Sequence, residues 1–192
     1  MKIKILLITL ICFTAGISAA LFLNDTSSTK PKVLIGGPFS LMAHTGERVS
    51  EKDFKGKLTL MYFGYSHCPD VCPGDLQVMA NALDELGSKV QNINAVFVSI
   101  DPERDTAETL GNYLDYFHKK IVGLTGTKQE IQKIAKAYRI YYARVEAPDS
   151  GVKYLMNHSA ITYLMDKNGS YLTHFNHGTD PKQMVARISK YL

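Results

Sequence analysis

Two long apolar runs dominate the hydrophobic pattern of the chain and predict buried strands. Residues 57–64 and 93–100 are nearly continuous in strand-forming apolar residues, which is typical of central strands covered on both faces. Between them, apolar residues recur at helical spacing and the pattern ends at Gly87. The apolar positions of this predicted helix are Leu76, Met79, Ala80, Leu83 and Leu86. The three segments together predict a β-α-β unit.

The second half of the chain continues this alternation. Its predicted elements are helices at 106–117 and 128–138, strands at 139–145, 159–165 and 171–175, and a last helix opening at Asp180-Pro181. Asn168-Gly169 favours a hairpin between the last two strands. This order predicts an α/β protein, a thioredoxin-like sandwich with a central mixed sheet flanked by helices.

The N-terminus has a different pattern, with basic residues followed by an uncharged apolar run to Leu23. That run approaches the ~20 residues that span a bilayer, and basic residues favour a cytoplasmic N-terminus. A cleaved signal segment is the alternative, because small residues near Ala20 resemble a cleavage site. We expect one transmembrane anchor at 1–23, a polar linker at 24–32 and a single domain at 33–192.

Composition and charge narrow the class of protein further. Hydrophobic residues make up 45% and charged residues 21% of the chain, as in an ordinary folded domain. The net charge of +4 includes two lysines of the leader, so it is too weak to indicate nucleic-acid binding. The leader lacks the Arg- and Ser-rich character of a transit peptide. We therefore expect a single-pass protein of a bacterial inner membrane, with its domain in the periplasm.

A pair of cysteines carries the candidate chemistry. Cys68 and Cys72 lie four residues apart, after the first apolar strand and before the helix, where open α/β sheets usually place sites. Pro73 suits the first turn of a helix, so Cys68 lies in the loop and Cys72 lies near the helix N-terminus, which stabilises thiolates. Two thiols at this spacing can bind a soft metal ion or form a disulfide, and both possibilities stay open at this point.

Short motifs spread over most of the predicted domain resemble those of the Sco/SenC family. They are Gly36-Gly-Pro-Phe39, Tyr62-Phe-Gly-Tyr65, His67-Cys-Pro-Asp-Val-Cys-Pro73, Val98-Ser-Ile-Asp-Pro-Glu-Arg-Asp-Thr106, Leu124-Thr-Gly126 and His158-Ser-Ala160. Members of this family are membrane-anchored, thioredoxin-like copper proteins that assist assembly of the copper centre in cytochrome c oxidase. Several motifs are short, but their order and spread make the resemblance specific.

The resemblance implies a ligand set and a function. Cys68, Cys72 and His158 fall on the family's copper ligands, and Asp101 falls on an acidic position close to the site. Asp101 can tune or transiently ligate oxidised copper, or it can serve only as a turn residue. The expected function is a copper chaperone that delivers copper to the copper-bearing subunit of cytochrome c oxidase. Other periplasmic copper chaperones or thiol reductases are further possible partners.

The chemistry of the residues agrees with copper. Copper(I) is soft and favours thiolate together with imidazole. Structural zinc needs a closed site of four ligands, so a zinc site here would require further histidines. A lone histidine before an apolar strand is commonly a hydrogen-bonded structural residue. Thioredoxin-like redox enzymes, however, usually carry a cis-proline just before this strand, where this chain has Asn157-His158.

Two other functions compete with copper delivery. The pair Cys68–Cys72 can form a disulfide, so a periplasmic thiol–disulfide oxidoreductase is the main alternative. A redox or copper sensor that acts on another membrane protein is the third. A copper chaperone need not turn over any substrate, so we expect a metal-delivery protein in preference to an enzyme. Disulfide formation can also switch copper binding off, because thiols must be reduced to bind the metal.

Overall fold

The apolar runs lie in the middle of a seven-stranded mixed sheet in a computed structural model, which describes residues 34–147 and 152–192. The strands are β1 (Ser40–Ala43), β2 (Arg48–Ser50), β3 (Leu58–Gly64), β4 (Ile93–Ser99), β5 (Ile121–Thr125), β6 (Tyr142–Glu146), β7 (Tyr154–His158), β8 (Ile161–Met165) and β9 (Tyr171–Asn176). The helices are α1 (Val71–Glu85), α2 (Ala107–Leu114), α3 (Lys128–Ala137) and α4 (Pro181–Ile188), with a 3-10 segment at Gly87–Asn92. The sheet order is β2-β1-β5-β4-β3-β8-β9.

The predicted β-α-β unit is confirmed and forms the centre of this sheet. Strands β3 and β4 pair in parallel from Leu58↔Ile93 to Gly64↔Ser99. Every residue of β3 is buried, as the continuous apolar run predicts for a strand covered on both faces. Because parallel strands end at the same edge of a sheet, the loops after β3 and β4 leave the core side by side.

The predicted helix starts are confirmed by their capping bonds. The Thr106 side chain accepts a hydrogen bond from the N–H of Thr109 at the start of α2. At α4, the Asp180 carboxylate accepts from the N–H of Lys182, and Pro181 occupies the first turn. These bonds satisfy main-chain donors that have no partner within the helix, so the caps fix where each helix begins.

The strand predicted at 139–145 is wrong at its start, because α3 ends there in a left-handed residue. Arg139 has φ 56°, and the N–H of Ile140 donates to the carbonyl of Ala135 at 2.8 Å. This pattern is a Schellman cap, which closes a helix with a residue of positive φ. The strand therefore begins later, as β6, and it pairs with β7 in a separate two-stranded sheet.

The prediction of a strand at 159–165 is also corrected. His158 ends β7, a strand that the sequence pattern did not predict, and β8 begins at Ile161. The N–H of Ser159 donates to the carbonyl of Tyr141, so the chain stays attached to the smaller sheet up to this point. His158 thus lies at the end of one strand, and not at the start of the next. The hairpin predicted at Asn168-Gly169 is confirmed by the antiparallel pairing of β8 with β9.

The sequence pattern missed β5 and the β1–β2 hairpin, although β5 lies next to β4 in the sheet. Strand β5 is short and contains Gly123, which lowers its strand propensity. A Cβ atom at Gly123 would lie 2.6 Å from Cδ1 of Leu114, so the glycine allows α2 to pack closely on the sheet. Close packing, and not strand propensity, explains the residue at this position.

The predicted anchor at 1–23 and the linker at 24–32 lie outside the described residues. Within residues 34–147 and 152–192, no helix has the length and apolar character needed to span a membrane. The described part of the predicted domain is an α/β sandwich, with α1 packed against α4 and α2 packed against β5.

Candidate metal centre

Three side chains that can bind a metal meet where β3 ends and α1 begins. The ligand atoms of Cys68, Cys72 and His158 all lie within 4.8 Å of one another. The Cys72 sulfur lies 3.3 Å from Nε2 of His158. Cys72 is fully buried, whereas Cys68 and His158 are partly exposed. Residues 86 positions apart in the chain are thus brought into one cluster.

The N-terminus of α1 holds the Cys68 sulfur. The N–H of Cys72 donates to the sulfur of Cys68 at 3.3 Å. Asp70 occupies the capping position of the helix, but its side chain makes no capping hydrogen bond. The Cys68 sulfur therefore accepts a hydrogen bond in the place of a capping side chain, at the end of the helix where the dipole favours negative charge.

His158 is oriented for binding through Nε2. Its Nδ1 lies 3.2 Å from the carbonyl oxygen of Ser159, and a carbonyl accepts only from a protonated ring nitrogen. This bond leaves the lone pair of Nε2 directed at the sulfurs. A main-chain acceptor on the far nitrogen is the usual way in which proteins orient a metal-binding imidazole.

Two tyrosine rings close the site around the imidazole. Tyr62 and Tyr65 contact His158 edge to face, with ring centroids 6.2 Å and 6.0 Å away. Both tyrosines are buried. Burial raises the pKa of Tyr65 to about 12, and burial together with Cys72 and Asp75 raises the pKa of Tyr62. Both rings therefore stay neutral, and they limit the access of water to the imidazole.

The two thiols differ in their electrostatic surroundings. A hydrogen bond from the Cys72 thiol, together with the N–H groups of Cys72 and Asp70, lowers the pKa of Cys68 despite its partial burial. The hydrogen bond to Cys68 and burial raise the pKa of Cys72. In the metal-free protein, the first negative charge of the pair therefore lies on Cys68.

Iodoacetamide is expected to alkylate Cys68 at a rate that stays high in mildly acidic solution. An ordinary thiol has a pKa of about 8.5, so below that value its alkylation slows about tenfold for each unit of pH. The lowered pKa of Cys68 keeps the thiolate populated at lower pH, whereas Cys72 is buried and should react slowly. Peptide mass spectrometry of the reduced protein between pH 5 and 9 measures both rates. In denaturant, both rates should fall steeply as the pH is lowered. The same steep fall for Cys68 in the folded protein would contradict its lowered pKa.

Gly64 allows the Cys72 sulfur to approach β3. A Cβ atom at Gly64 would lie 2.8 Å from Tyr62 and 2.9 Å from the Cys72 sulfur. Gly64→Ala is therefore expected to lower the free energy of unfolding by about 1–3 kcal/mol, the usual cost of overpacking. Gly74→Ala, in α1, is the matched control, because a Cβ atom there meets nothing within 4 Å and should cost no stability. Urea unfolding of the reduced protein compares the two variants, and equal stabilities would contradict the steric explanation.

The structure places Asp101 outside the cluster of three. Both of its carboxylate oxygens are bonded, one to Nε of Arg104 at 2.5 Å and the other to the hydroxyl of Tyr154 at 2.9 Å. The side chain of His67, the residue directly before Cys68, is directed to Ser66 and Asp105. The sequence pattern did not reveal the tyrosines that surround His158. The sequence feature that indicates these tyrosines is the aromatic pair on either side of Phe63 and Gly64, directly before the cysteines.

Comparison with known families identifies the family of the chain. A profile of the family described as SCO1/SenC matches residues 27–192. The chain belongs to the SCO1/SenC family. It is 43% identical over 163 residues to the mitochondrial SCO1 homolog of Homo sapiens, covering 84% of this chain and 54% of that protein. It is 42% identical to an SCO2-like protein of Rickettsia conorii, covering 80% of this chain and 75% of the relative.

Solved structures of this family share the fold. ScoI of Bradyrhizobium japonicum with copper bound is 43% identical and has a TM-score of 0.76, covering 82% of this chain and 99% of that one. Yeast Sco1 with copper bound is 37% identical, also with a TM-score of 0.76, over 82% of this chain and 88% of the other. The predicted thioredoxin-like sandwich is thereby confirmed. This SCO1/SenC chain spans about half the length of its human relative and three quarters of the rickettsial one.

Proposed function

We propose that this protein is a copper chaperone, which binds copper through Cys68, Cys72 and His158 and delivers it to the copper centre of cytochrome c oxidase during assembly. The observation that supports the proposal most directly is the cluster of two sulfurs and one imidazole nitrogen within 4.8 Å. Relatives of the same fold bind copper, at 43% and 37% identity. Membership of the SCO1/SenC family supports delivery to the copper-bearing subunit of the oxidase.

The donor set fits copper(I) better than other common metal ions. Two thiolates and one neutral imidazole are soft or intermediate ligands, and copper(I) accepts a low coordination number. Structural zinc prefers a closed site with four protein ligands, whereas the described residues bring three ligand atoms together. Copper is the cargo of the protein, so partial exposure of Cys68 and His158 gives an acceptor access to two of the ligands.

Metal uptake requires both thiols in their reduced form. Cys68 and Cys72 are free thiols, and their sulfurs lie close enough for a small movement of the loop to form a disulfide. A disulfide would remove both sulfur ligands at once. We infer that oxidation of this pair switches copper binding off, and that a periplasmic thiol reductase keeps the pair available. Thiol–disulfide exchange is the competing function of the same pair.

We also propose that the domain is held at a bacterial inner membrane by the apolar segment 1–23 and works in the periplasm. The basic residues that precede this segment and its length support the proposal. The test is protease treatment of intact spheroplasts, which should degrade the domain while cytoplasmic proteins survive. Protection of the domain in intact spheroplasts would place it on the cytoplasmic side.

A titration of copper(I) tests the proposed binding. The reduced protein is expected to bind one copper(I) ion, tightly enough to remove it from a coloured chelator of known affinity. Oxidation of Cys68 and Cys72 to the disulfide beforehand should prevent this binding, which provides the matched control. If the reduced protein leaves the copper with the chelator, metal delivery fails as an explanation and thiol–disulfide exchange becomes the better account.

A further inference from the structure

Two buried carboxylates on the loop between β4 and α2 each contact a segment that carries part of the metal centre. Asp101 and Asp105 are 3% and 0% exposed. Buried carboxylates are costly unless they are well hydrogen-bonded, and here each is bonded to a segment that carries a metal-binding residue. Because the two carboxylates lie at different positions in the loop, they bond to different segments of the chain.

Asp105 holds the loop that carries Cys68. Its carboxylate accepts the N–H of Ser66 at 3.0 Å and the hydroxyl of Ser66 at 2.5 Å. Ser66 lies two residues before Cys68 in the chain. Two bonds to one residue fix both its main chain and its side chain, so they define the path by which the chain enters the cysteine pair.

Asp101 holds the strand that carries His158. Its carboxylate accepts the hydroxyl of Tyr154, the first residue of β7, at 2.9 Å. It also binds Arg104, whose Nη1 donates to the carbonyl of Tyr154 at 3.1 Å and whose guanidinium lies 3.7 Å from the centre of the Tyr154 ring. Because β7 ends at His158, these contacts anchor the strand that delivers the imidazole.

Ser99 connects the two aspartates to the centre of the sheet. Its hydroxyl donates to Asp105 at 2.6 Å and accepts the N–H of Asp101 at 3.0 Å. Ser99 is fully buried and is the last residue of β4. The hydroxyl of Thr125 in β5 donates to the carbonyl of Asp105 at 2.6 Å. The loop is therefore attached to two central strands before it reaches either half of the metal centre.

We propose that Asp105 is a positioning residue for the cysteine half of the site and Asp101 for the histidine half, so that this loop sets the distance between the sulfurs and the imidazole. The consequence is a separation of effects. Losing the Asp105 contacts should alter both the dithiol–disulfide equilibrium and copper binding. Losing the Asp101 contact to β7 should alter copper binding alone. The copper part rests on the proposed function, whereas the disulfide part is measured without metal.

The experiment compares two variants of the full-length protein. Asp105→Ala removes both bonds to Ser66, and Tyr154→Phe removes the bond to Asp101 while keeping the aromatic ring between the guanidinium groups of Arg104 and Arg144. One measurement is copper(I) competition against a chelator. The other is equilibration of the metal-free protein with dithiothreitol, in which the two thiols lose two electrons and two protons to oxidised dithiothreitol and form one S–S bond.

We expect Asp105→Ala to weaken copper(I) binding about 10- to 100-fold, the usual effect of losing an outer partner of a metal site. It should also lower the equilibrium constant for disulfide formation about tenfold, because the freed loop lets Cys68 move away from Cys72. Tyr154→Phe should weaken copper(I) binding about tenfold and leave the disulfide constant unchanged. An unchanged disulfide constant in Asp105→Ala, or an equal shift in both variants, would overturn the proposal.

Three further variants separate positioning from a general loss of stability. Asp105→Asn should stay close to wild type, because its amide can still accept the N–H of Ser66 and donate to the Ser66 hydroxyl. Asn94→Ala removes side-chain bonds to Phe54 and Thr59 at the opposite end of β4 and should change neither measurement. If Asp105→Ala fails to fold, Ser66→Ala replaces it, and a smaller shift of both constants in the same direction is required.

The outcomes also distinguish this proposal from the proposed function. If the wild-type protein binds no copper(I), copper delivery is wrong, while the dithiothreitol equilibrium still decides whether Asp105 positions the cysteines. If copper binds tightly but the variants shift neither constant, copper delivery stands and the positioning proposal is wrong.

Discussion

Cys72→Ser is expected to abolish tight copper(I) binding and disulfide formation together. Cys72 is fully buried, and its sulfur lies 3.3 Å from Nε2 of His158 and within 4.8 Å of the Cys68 sulfur. A hydroxyl is a hard, poorly ionised replacement for a thiolate, and copper(I) binds it weakly. The loss of copper affinity should exceed the roughly 100-fold effect that follows the loss of an outer partner. Chelator competition measures the first effect and thiol quantification under oxidant measures the second.

Cys68→Ser should give the same two losses, because each activity needs both sulfurs. Cys12 offers a matched control, since Cys12→Ser changes a cysteine that lies far from the pair in the sequence and should leave both activities intact. Circular dichroism should show that each variant stays folded. Tight copper(I) binding by folded Cys72→Ser would remove this residue from the ligand set.

The centre of the fold could be predicted from sequence because its signals are local. The runs that become β3 and β4 are nearly continuous in apolar residues, with Thr59, Asn94 and Ser99 as exceptions, and the helix between them repeats at helical spacing. Caps such as Thr106 and Asp180 also depend on neighbours within a few residues. Long, strongly patterned segments of this kind carry their own structural information.

The remaining elements depend on contacts between distant parts of the chain. Strand β7 is partly exposed and pairs with β6 away from the main sheet, so it lacks the continuous apolar pattern of β3. Gly123 of β5 leaves room for the side chain of Leu114 in α2. Arg139 adopts a positive φ that is unusual for a residue with a side chain, so no sequence signal showed that this residue closes α3 and does not begin the next strand.

In the metal centre too, some residues could be predicted from local sequence signals, whereas others depend on contacts between distant parts of the chain. Cys68 and Cys72 could be paired from their spacing alone, because they lie only four residues apart across the loop and the start of α1. His158 comes from the end of a strand that the pattern did not reveal, so its assignment depended on the resemblance to the Sco/SenC family. The contacts of Asp105 with Ser66 cross 39 positions of the chain, and they could be recognised only from the structure.

His158→Ala is expected to weaken copper(I) binding about 10- to 100-fold while the cysteine pair still forms and breaks its disulfide. The imidazole nitrogen is one of the three proposed ligand atoms, and copper(I) can remain bound to two thiolates, so the loss should be smaller than that in Cys72→Ser. His67→Ala is the matched control, because His67 lies next to Cys68 in sequence but bonds to Ser66. Unchanged copper affinity in His158→Ala would exclude the histidine as a ligand. Equal losses in both variants would mean that the cysteine loop, and not the imidazole, controls how tightly copper is held.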